Sequence, residues 1–228
     1  MSNFEEQLRV TALYRYPEHS IAYDYLASFT YPWEALDGLS DFIYKTGESL
    51  SPEEYDSPAP GIWIAKSATV APNASLCAPL IVCPNAQVRQ CAFIRGSAIV
   101  GESAVVGNST ELKNCILFDG VQVPHFNYIG DAILGYKAHM GAGAVTSNIK
   151  SDRTNVAVRY GEDSLATGRR KCGAMLGDFV EVGCNSVLNP GTVIGAHSTV
   201  YPLSAVRGFV PEGHIFKSAT QVIVKREN

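Results

Sequence analysis

The amino-acid sequence predicts a mainly β fold in which a single chain winds into a rod of stacked coils. Two observations predict it: aliphatic residues recur every six positions from residue 64 onward, and mostly Ala, Gly, Asn and Ser stand between them. A helix repeats about every 3.6 residues and an ordinary strand about every two, so neither gives a period of six. A coil of three short parallel strands does, if each strand points one aliphatic residue into a narrow core and small residues take the corners. A helical bundle is thereby excluded.

The hexapeptide repeat occupies three runs of the sequence. Its aliphatic positions are Ile64, Val70, Leu76, Val82, Val88, Ile94, Val100, Val106 and Leu112, then Leu117, Val123, Ile129, Leu134 and Met140, and finally Leu176, Val182, Leu188, Ile194, Val200 and Val206. About twenty inward positions predict roughly six to seven coils, on the order of 30 Å of rod. Because such rods have flat, partly apolar faces, we expect the protein to form a homotrimer.

The sequence before the repeat is irregular and predicts a short helical segment. Leu36, Leu39 and Ile43 have helical spacing after a proline, which predicts one helix in the stretch YPWEALDGLSDFIYKTGESL. The stretch SPEEYDSPAPG that follows has the composition of a linker. We therefore expect an N-terminal segment with its linker over 1–60, a parallel β-helix over 61–210 and a C-terminal tail over 211–228.

One long stretch, 146–175, lacks the six-residue rhythm and predicts a loop that projects from the rod. Long excursions from a compact scaffold are more often functional than decorative. This one is rich in basic residues, which suggests an anionic ligand or an acidic neighbouring subunit. They are Lys150, Arg153, Arg169, Arg170 and Lys171.

Composition restricts the partners. The chain has 18 Lys+Arg against 22 Asp+Glu, a net charge of −4, so we expect no nucleic-acid partner. The N-terminus does not have the pattern of a signal peptide, and no apolar run is long enough for a membrane span, so we expect neither a leader nor a membrane anchor. The six cysteines show no CxxC spacing and read as apolar fillers in a reducing compartment, which predicts a cytoplasmic protein.

Two cations are placed by the repeat where they can hold a phosphate. Arg95 and Lys113 are 18 residues apart, and each follows an inward aliphatic, so they stack on successive coils roughly 4.8 Å apart. Two cations at this distance repel each other unless an anion lies beside them, and an Arg fork with a Lys point charge suits a phosphate. Two solvated side chains that diverge into water are the alternative.

A histidine interrupts the small and aliphatic residues at VQVPHFNYIGDAI (121–133). The same spacing places His125 on the outer surface, with Asn108 one coil below and Ala142 one coil above. An accessible imidazole between small neighbours can act as a base near neutral pH, although most lone surface histidines are inert. Tyr128 and Asn148 could add neutral hydrogen bonds, and MGAGAV (140–145) offers unobstructed backbone N–H groups.

Residues 64–207 resemble the hexapeptide-repeat acyltransferases. More closely, they resemble the C-terminal domain of the bifunctional N-acetylglucosamine-1-phosphate uridylyltransferase/glucosamine-1-phosphate acetyltransferases. The stretches that carry the resemblance are AFIRGSA, VGNSTELKN, PHFNYIGDAILG, MGAGAVTSN and TGRRKCGAMLGDFVEVG, with TYPWEAL before the repeat. The resemblance implies a single-stranded left-handed parallel β-helix, assembled as a trimer with acetyl-CoA bound between adjacent rods.

The resemblance also implies roles for individual residues. His125 would be the general base, and Arg95 and Lys113 would hold the sugar phosphate. The other expected substrate contacts are Glu111, Tyr128, Asn148 and His139, the last in place of the usual asparagine. The expected acetyl-CoA contacts are Ala142, Cys184, Arg169 and Arg170.

Three functions remain in competition at this point. The first is an acyl-CoA-dependent N-acetyltransferase for an amino-sugar phosphate, such as glucosamine 1-phosphate, or a sugar nucleotide. The second is a non-catalytic trimer that binds a sugar phosphate or assembles with a separate nucleotidylyltransferase. Nucleotidylyltransferase activity itself is not expected, because no GGxGxR-like opening is present and sixty residues are too few for that fold. The third, a γ-class carbonic anhydrase, needs three metal-binding histidines, and the five present lack the close pair, so no metal is expected.

Overall fold

A computed structural model describes residues 3–226 of the chain. Its strands, in chain order, are β1 (Tyr55–Ala59), β2 (Ile62–Ala65), β3 (Thr69–Val70), β4 (Ser75–Leu76), β5 (Leu80–Val82), β6 (Gln87–Val88), β7 (Phe93–Ile94), β8 (Ala98–Val100), β9 (Val105–Asn108), β10 (Glu111–Leu117), β11 (Gln122–His125), β12 (Tyr128–Leu134), β13 (His139–Met140), β14 (Val145–Thr146), β15 (Ala157–Tyr160), β16 (Asp163–Ala166), β17 (Ala174–Leu176), β18 (Glu181–Val182), β19 (Val187–Leu188), β20 (Thr192–Ile194), β21 (Thr199–Val200), β22 (Ala205–Val206), β23 (Phe209–Val210), β24 (His214–Ser218) and β25 (Gln221–Val224).

The strands form a parallel β-helix with three faces, which confirms the predicted fold class. The first face stacks β2, β5, β8, β10, β12, β17, β20 and β23. The second stacks β3, β6, β9, β11, β13, β18, β21 and β24. The third stacks β4, β7, the first halves of β10 and β12, then β14, β19 and β22.

The predicted inward residues form the core, and most of them have no exposed surface. Val100, Val106, Leu112 and Ile129 are each 0% exposed. Within the described residues two faces carry eight strands, so the rod is longer than the predicted six to seven coils. The difference arises at three buried side chains that the predicted positions omit: Thr146, six residues after Met140, and Val210 and Phe216 near the end of the chain.

Two coils near the middle are one residue shorter than their neighbours. Ile94 pairs with Leu112, 18 residues on, whereas Leu112 pairs with Ile129, 17 residues on. In these coils β10 and β12 run without interruption from the third face onto the first. Each of the two strands bends at a residue with positive φ, Asn114 at 50° and Asp131 at 49°. Asn and Asp tolerate this left-handed conformation better than most residues.

The N-terminal segment contains more helix than the sequence predicts. The helices are α1 (Asn3–Gln7), α2 (Val10–Leu13), α3 (Tyr23–Ala27) and α4 (Leu39–Glu48), with 3-10 turns at Pro17–His19 and Pro32–Leu36. The predicted helix is present as α4, but it begins later than the proline suggested, because Pro32–Leu36 forms a separate 3-10 turn. Leu36, Leu39 and Ile43 are all buried as expected. This segment packs on the rod, with the Tyr14 and Phe118 rings 5.0 Å apart.

Two other expectations, for the linker and the tail, change in the structure. The predicted linker contains β1, which pairs antiparallel with β2 at the edge of the first face, where a strand proline is tolerated. The predicted tail contains β24, which stacks in parallel on β21, and β25, which folds back on it. No helix within residues 3–226 is long and apolar enough to span a membrane.

The inserted segment folds onto the rod instead of projecting from it. β15 and β16 form an antiparallel hairpin, and Val156 and Val158 beneath it are buried. Gly208, on the last coils, has φ +73°, and a Cβ atom there would lie 2.1 Å from the backbone oxygen of Arg159. The absent side chain thus lets the hairpin backbone lie directly on the rod.

Candidate active site

His125 lies at the corner between the second and third faces, in the middle of a row of stacked residues. It pairs with Asn108 on the coil before it. The Gly143 amide donates to the His125 carbonyl (3.0 Å), which places Ala142 on the next coil, and the Asn185 amide donates to the Ala142 carbonyl (2.8 Å), which places Cys184 beyond it. His125 and Cys184 are exposed and Ala142 is half-buried. The row therefore leaves the imidazole open to solvent, with a methyl group on the next coil and a thiol on the coil after that.

A buried amide, Asn127, fixes the backbone of this corner. Its Oδ1 accepts from the His125 amide (3.1 Å), and its Nδ2 donates to the carbonyl oxygens of Gly141 (2.9 Å) and Ala144 (3.0 Å). Asn127 is 2% exposed. Asn127 was not among the predicted site residues, although its polar side chain directly before Tyr128 and the inward Ile129 is a signal visible in the sequence.

The glycine- and alanine-rich stretch above His125 has one free backbone donor at this corner. The amides of Gly141 and Gly143 donate to the carbonyls of Val182 (2.7 Å) and His125 (3.0 Å). The Ala142 amide lies between them and makes no hydrogen bond with any residue of 3–226. Since Ala142 follows His125 in the row, this N–H can bind a negative oxygen next to the imidazole.

Arg95 and Lys113 lie on successive coils of the third face, as their spacing predicts. The Arg95 guanidinium donates to Glu111 Oε1 (2.8 Å), which raises the pKa of Arg95. The Lys113 amine lies 3.3 Å from Oδ2 of Asp131, whose side chain is only 2% exposed. Both cations thus have a carboxylate neighbour, and both remain partly accessible, with side chains 46% and 28% exposed.

Asp131 connects the cationic pair to the neutral donors. Besides Lys113 it accepts from Asn114 Nδ2 (2.8 Å) and Asn148 Nδ2 (2.5 Å). The bend of the short coil at residue 131 directs this carboxylate at all three donors. Asp131 belongs to the stretch PHFNYIGDAILG but was not among the predicted site residues.

Tyr128 lies across the cluster because residue 130 has no side chain. It pairs with Glu111, and its hydroxyl accepts from Asn148 Nδ2 (3.2 Å). A Cβ atom on Gly130 would lie 2.3 Å from that hydroxyl oxygen and 2.6 Å from the ring. Burial raises the pKa of Tyr128, and the charges of Asp131 and Glu111 add to the shift, so the phenol stays protonated and can donate a hydrogen bond.

We call Arg95, Glu111, Lys113, Tyr128, Asp131 and Asn148 the phosphate cluster. The predicted residues His139, Arg169 and Arg170 do not contact it. His139 Nδ1 lies 2.8 Å from Glu181 Oε2 on the second face, beside a cavity of about 450 Å³. Arg169 is 12% exposed and paired with Asp37 of the N-terminal segment (2.5 Å), while Arg170 is exposed on the inserted segment. No group of three His, Cys, Asp or Glu side chains within 3–226 could hold a metal ion.

Comparison with known proteins shows the family. The profile of the GMPPB C-terminal domain matches residues 76–202, more than half of the chain. The chain belongs to this family. It is 35% identical to the bifunctional sugar-1-phosphate nucleotidylyltransferase/acetyltransferase of Sulfurisphaera tokodaii over 107 residues. These residues make up 47% of this chain and 27% of that protein. It is 28% identical over 201 residues to the bifunctional protein GlmU of Methanococcus maripaludis strain S2, which covers 87% of this chain and 49% of that protein.

These matches concern parts of larger proteins, because the chain spans about half or less of the length of these relatives. Among solved structures, the acetyltransferase domain of PglB from Neisseria gonorrhoeae is 16% identical, with a TM-score of 0.33. That superposition covers 80% of this chain and 75% of the PglB domain.

Proposed function

We propose that the protein is an acyltransferase that moves an acetyl group from acetyl-CoA to the amino nitrogen of a sugar phosphate or sugar nucleotide. The observation that carries the proposal is the position of His125, an exposed imidazole three residues before Tyr128, which belongs to the phosphate cluster. Acetyltransferase activity is named for the Sulfurisphaera relative. A glucosamine-1-phosphate-like acceptor and a homotrimeric assembly come from the family resemblance.

The phosphate cluster is suited to one end of the acceptor. Arg95 remains charged at every physiological pH and offers a planar fork of donors, and Lys113 adds a second positive charge one coil away. An incoming phosphate competes with Glu111 for the guanidinium, while Asp131 holds the lysine in place. Tyr128 and Asn148 are neutral, so they can bind sugar hydroxyls or phosphate oxygens without changing the charge balance.

His125 is suited to the proton transfer. As the amine nitrogen attacks the thioester carbonyl, the imidazole takes the N–H proton and an oxyanion forms on the carbonyl oxygen. The free N–H of Ala142, one coil above, can donate to that oxyanion. The C–S bond then breaks, the amide forms, and the departing thiolate takes a proton from the imidazolium. The small side chain of Ala142 leaves room for the thioester arm beside the histidine.

The test is the turnover of acetyl-CoA with glucosamine 1-phosphate and a panel of other amino sugars, followed by mass spectrometry of the acetylated product. Product mass is the better readout, because exposed cysteines would react with thiol reagents. We expect His125→Ala to lower kcat by about 100-fold or more, the usual contribution of a general base. His214→Ala, a change at a histidine on the last coil, is the matched control and should leave kcat unchanged.

Two results would contradict the proposal. Full activity in His125→Ala would remove the histidine from the mechanism. No turnover with any acceptor, combined with calorimetric binding of a sugar phosphate that Lys113→Gln abolishes, would favour the non-catalytic sugar-phosphate-binding protein instead.

A further inference from the structure

A second accumulation of positive charge lies on the inserted hairpin, away from the phosphate cluster. A cavity of about 320 Å³ lies between the hairpin and the last coils of the third face, beside the place where they touch. Arg159 and Lys150 line it from the inserted segment, Arg207 lines it from the rod, and the amides of Asn155 and Asn189 complete its polar lining. Three cations and two amides thus face one space.

The two arginines of this cavity form no ion pair within the part of the chain that the structure describes. The Lys150 amine is already engaged with Thr154 Oγ1 (2.5 Å) and Asp152 Oδ2 (3.3 Å). Arg159 and Arg207 are both exposed. Like charges converging without a counter-ion are unfavourable, and an anion between them removes that cost.

The cavity is held open by packing. Val156 and Val158 anchor the hairpin in the core, and the backbone of Arg159 lies directly on Gly208. A site whose walls are already fixed loses little conformational entropy when a ligand binds. Its volume lies at the lower end of ordinary small-molecule sites, so it exceeds the need of a lone chloride ion.

The cavity is spatially distinct from the phosphate cluster. Arg207 belongs to the same outward row as Lys113, and Gly130, Ser147 and Asn189 occupy the coils between them. Four coils at strand spacing separate the two cations by about 19 Å. A phosphate bound at Lys113 therefore lies four coils from Arg207.

We propose that the cavity between the hairpin and the last coils is a second anion site, which binds a phosphate or pyrophosphate group. Guanidinium forks bind phosphoryl oxygens in pairs. Asn189 Nδ2 already donates to the Val206 carbonyl (2.9 Å), so its Oδ1 can accept from the group that carries the phosphate. The same chemistry occurs in the nucleotide end of coenzyme A, in a sugar nucleotide and in inorganic pyrophosphate. The site stands whether or not the protein transfers acyl groups.

The experiment measures calorimetric binding in an Arg95→Gln/Lys113→Gln background, which removes the first anion site. The probes are inorganic pyrophosphate, 3′,5′-ADP and UDP, at fixed ionic strength. We expect at least one probe to bind. Since a charged hydrogen-bond donor is lost, Arg207→Gln should weaken that probe by about tenfold or more, and Arg159→Gln/Arg207→Gln further. Arg153→Gln is the matched control, because it removes the same charge from the inserted segment that carries Arg159 but does not line the cavity.

The three probes distinguish the sources of the phosphate, since preference for 3′,5′-ADP points to coenzyme A and preference for UDP to a sugar nucleotide. Arg207→Lys keeps the charge and should retain most of the affinity. The proposal is overturned if no probe binds at millimolar concentration. It is equally overturned if Arg153→Gln weakens binding as much as Arg207→Gln, because the effect would then come from net charge alone. Loss of acyl transfer without loss of probe binding would contradict only the proposed activity.

Discussion

Gly130 determines where Tyr128 lies, and Gly130→Ala tests that relationship. The three atoms nearest to a Cβ at this position all belong to Tyr128, at 2.3, 2.6 and 2.8 Å. Residue 130 does not have a positive φ, so alanine causes no backbone strain there. The substitution therefore acts on the position of the tyrosine ring.

The size of the effect follows from these distances. The hydroxyl oxygen must move from 2.3 Å to at least 3.0 Å from the new methyl group, a shift of about 0.7 Å. The bond that it accepts from Asn148 is already 3.2 Å long, so such a shift can break it. A hydrogen bond of this kind contributes about 1 kcal/mol, so we expect kcat/KM for the amino-sugar phosphate to fall about five- to tenfold.

A double-mutant cycle decides whether this reasoning holds. Initial rates of acetyl transfer are measured for Gly130→Ala, Tyr128→Ala and the double variant. When the ring is absent, Gly130→Ala should cost less than about twofold, because the new methyl group no longer meets the tyrosine. An equal loss in both backgrounds would refute the argument and locate the effect in the backbone.

Three further predictions concern stability and thiol chemistry. Asp131→Ala leaves Lys113, Asn114 and Asn148 without their shared acceptor and should lower the free energy of unfolding, measured by urea denaturation, by about 2–3 kcal/mol. The control Asp152→Ala, at an exposed carboxylate, should lower it by less than about 0.5 kcal/mol. Equal losses in the two variants would contradict the role of Asp131. Thr146 is fully buried and accepts a hydrogen bond from the Gly130 amide (2.8 Å), so Thr146→Val should lower the free energy of unfolding by about 1–3 kcal/mol. An unchanged urea midpoint would show that the amide finds another partner. Burial raises the pKa of the Cys83, Cys115 and Cys172 thiols from 9.0 to about 12, so they stay protonated in the folded state. The unfolded chain releases these protons above pH 9, so stability should fall as pH rises from 9 towards 12, by about 1.4 kcal/mol per thiol per pH unit. A flat stability profile between pH 8 and 10, or labelling of more than Cys77, Cys91 and Cys184 in the native state at pH 8, would contradict this.

The rod could be predicted because each short strand contributes one core residue and its spacing is written directly into the sequence. Inward Val106, Leu112 and Val123 are fully buried for that reason. The same rule placed Arg95 on Lys113 and His125 between Asn108 and Ala142, since residues on successive coils are related by a constant interval. In a regular repeat, the sequence spacing alone therefore predicts which residues stack on one another.

Contacts between distant segments could not be predicted in this way. Arg169 carries the charge expected of an anion-binding residue, yet its partner is Asp37, which no spacing rule connects to it. The hairpin lies on the rod because Gly208 has no side chain, and the period does not distinguish such a glycine from an ordinary corner. The position of the Asp131 carboxylate depends on the bend in the shortened coil. The missing residue of that coil can be counted in the sequence, but the bend cannot be predicted from it.

The ends of the inserted segment lie beside each other. The Cys172 amide donates to the Asn148 carbonyl (2.9 Å), and Ile149 forms an antiparallel bridge with Lys171. Ala142 and Cys184 therefore occupy adjacent coils although 42 residues separate them in the chain. Loop-closure entropy grows only logarithmically with length. Lengthening or shortening the part of the excursion beyond the buried Val156 and Val158 therefore changes the loop-closure part of the folding free energy by less than about 1 kcal/mol for each doubling. The rod can thus exchange the module that forms one wall of the cavity without rebuilding the coils that hold His125.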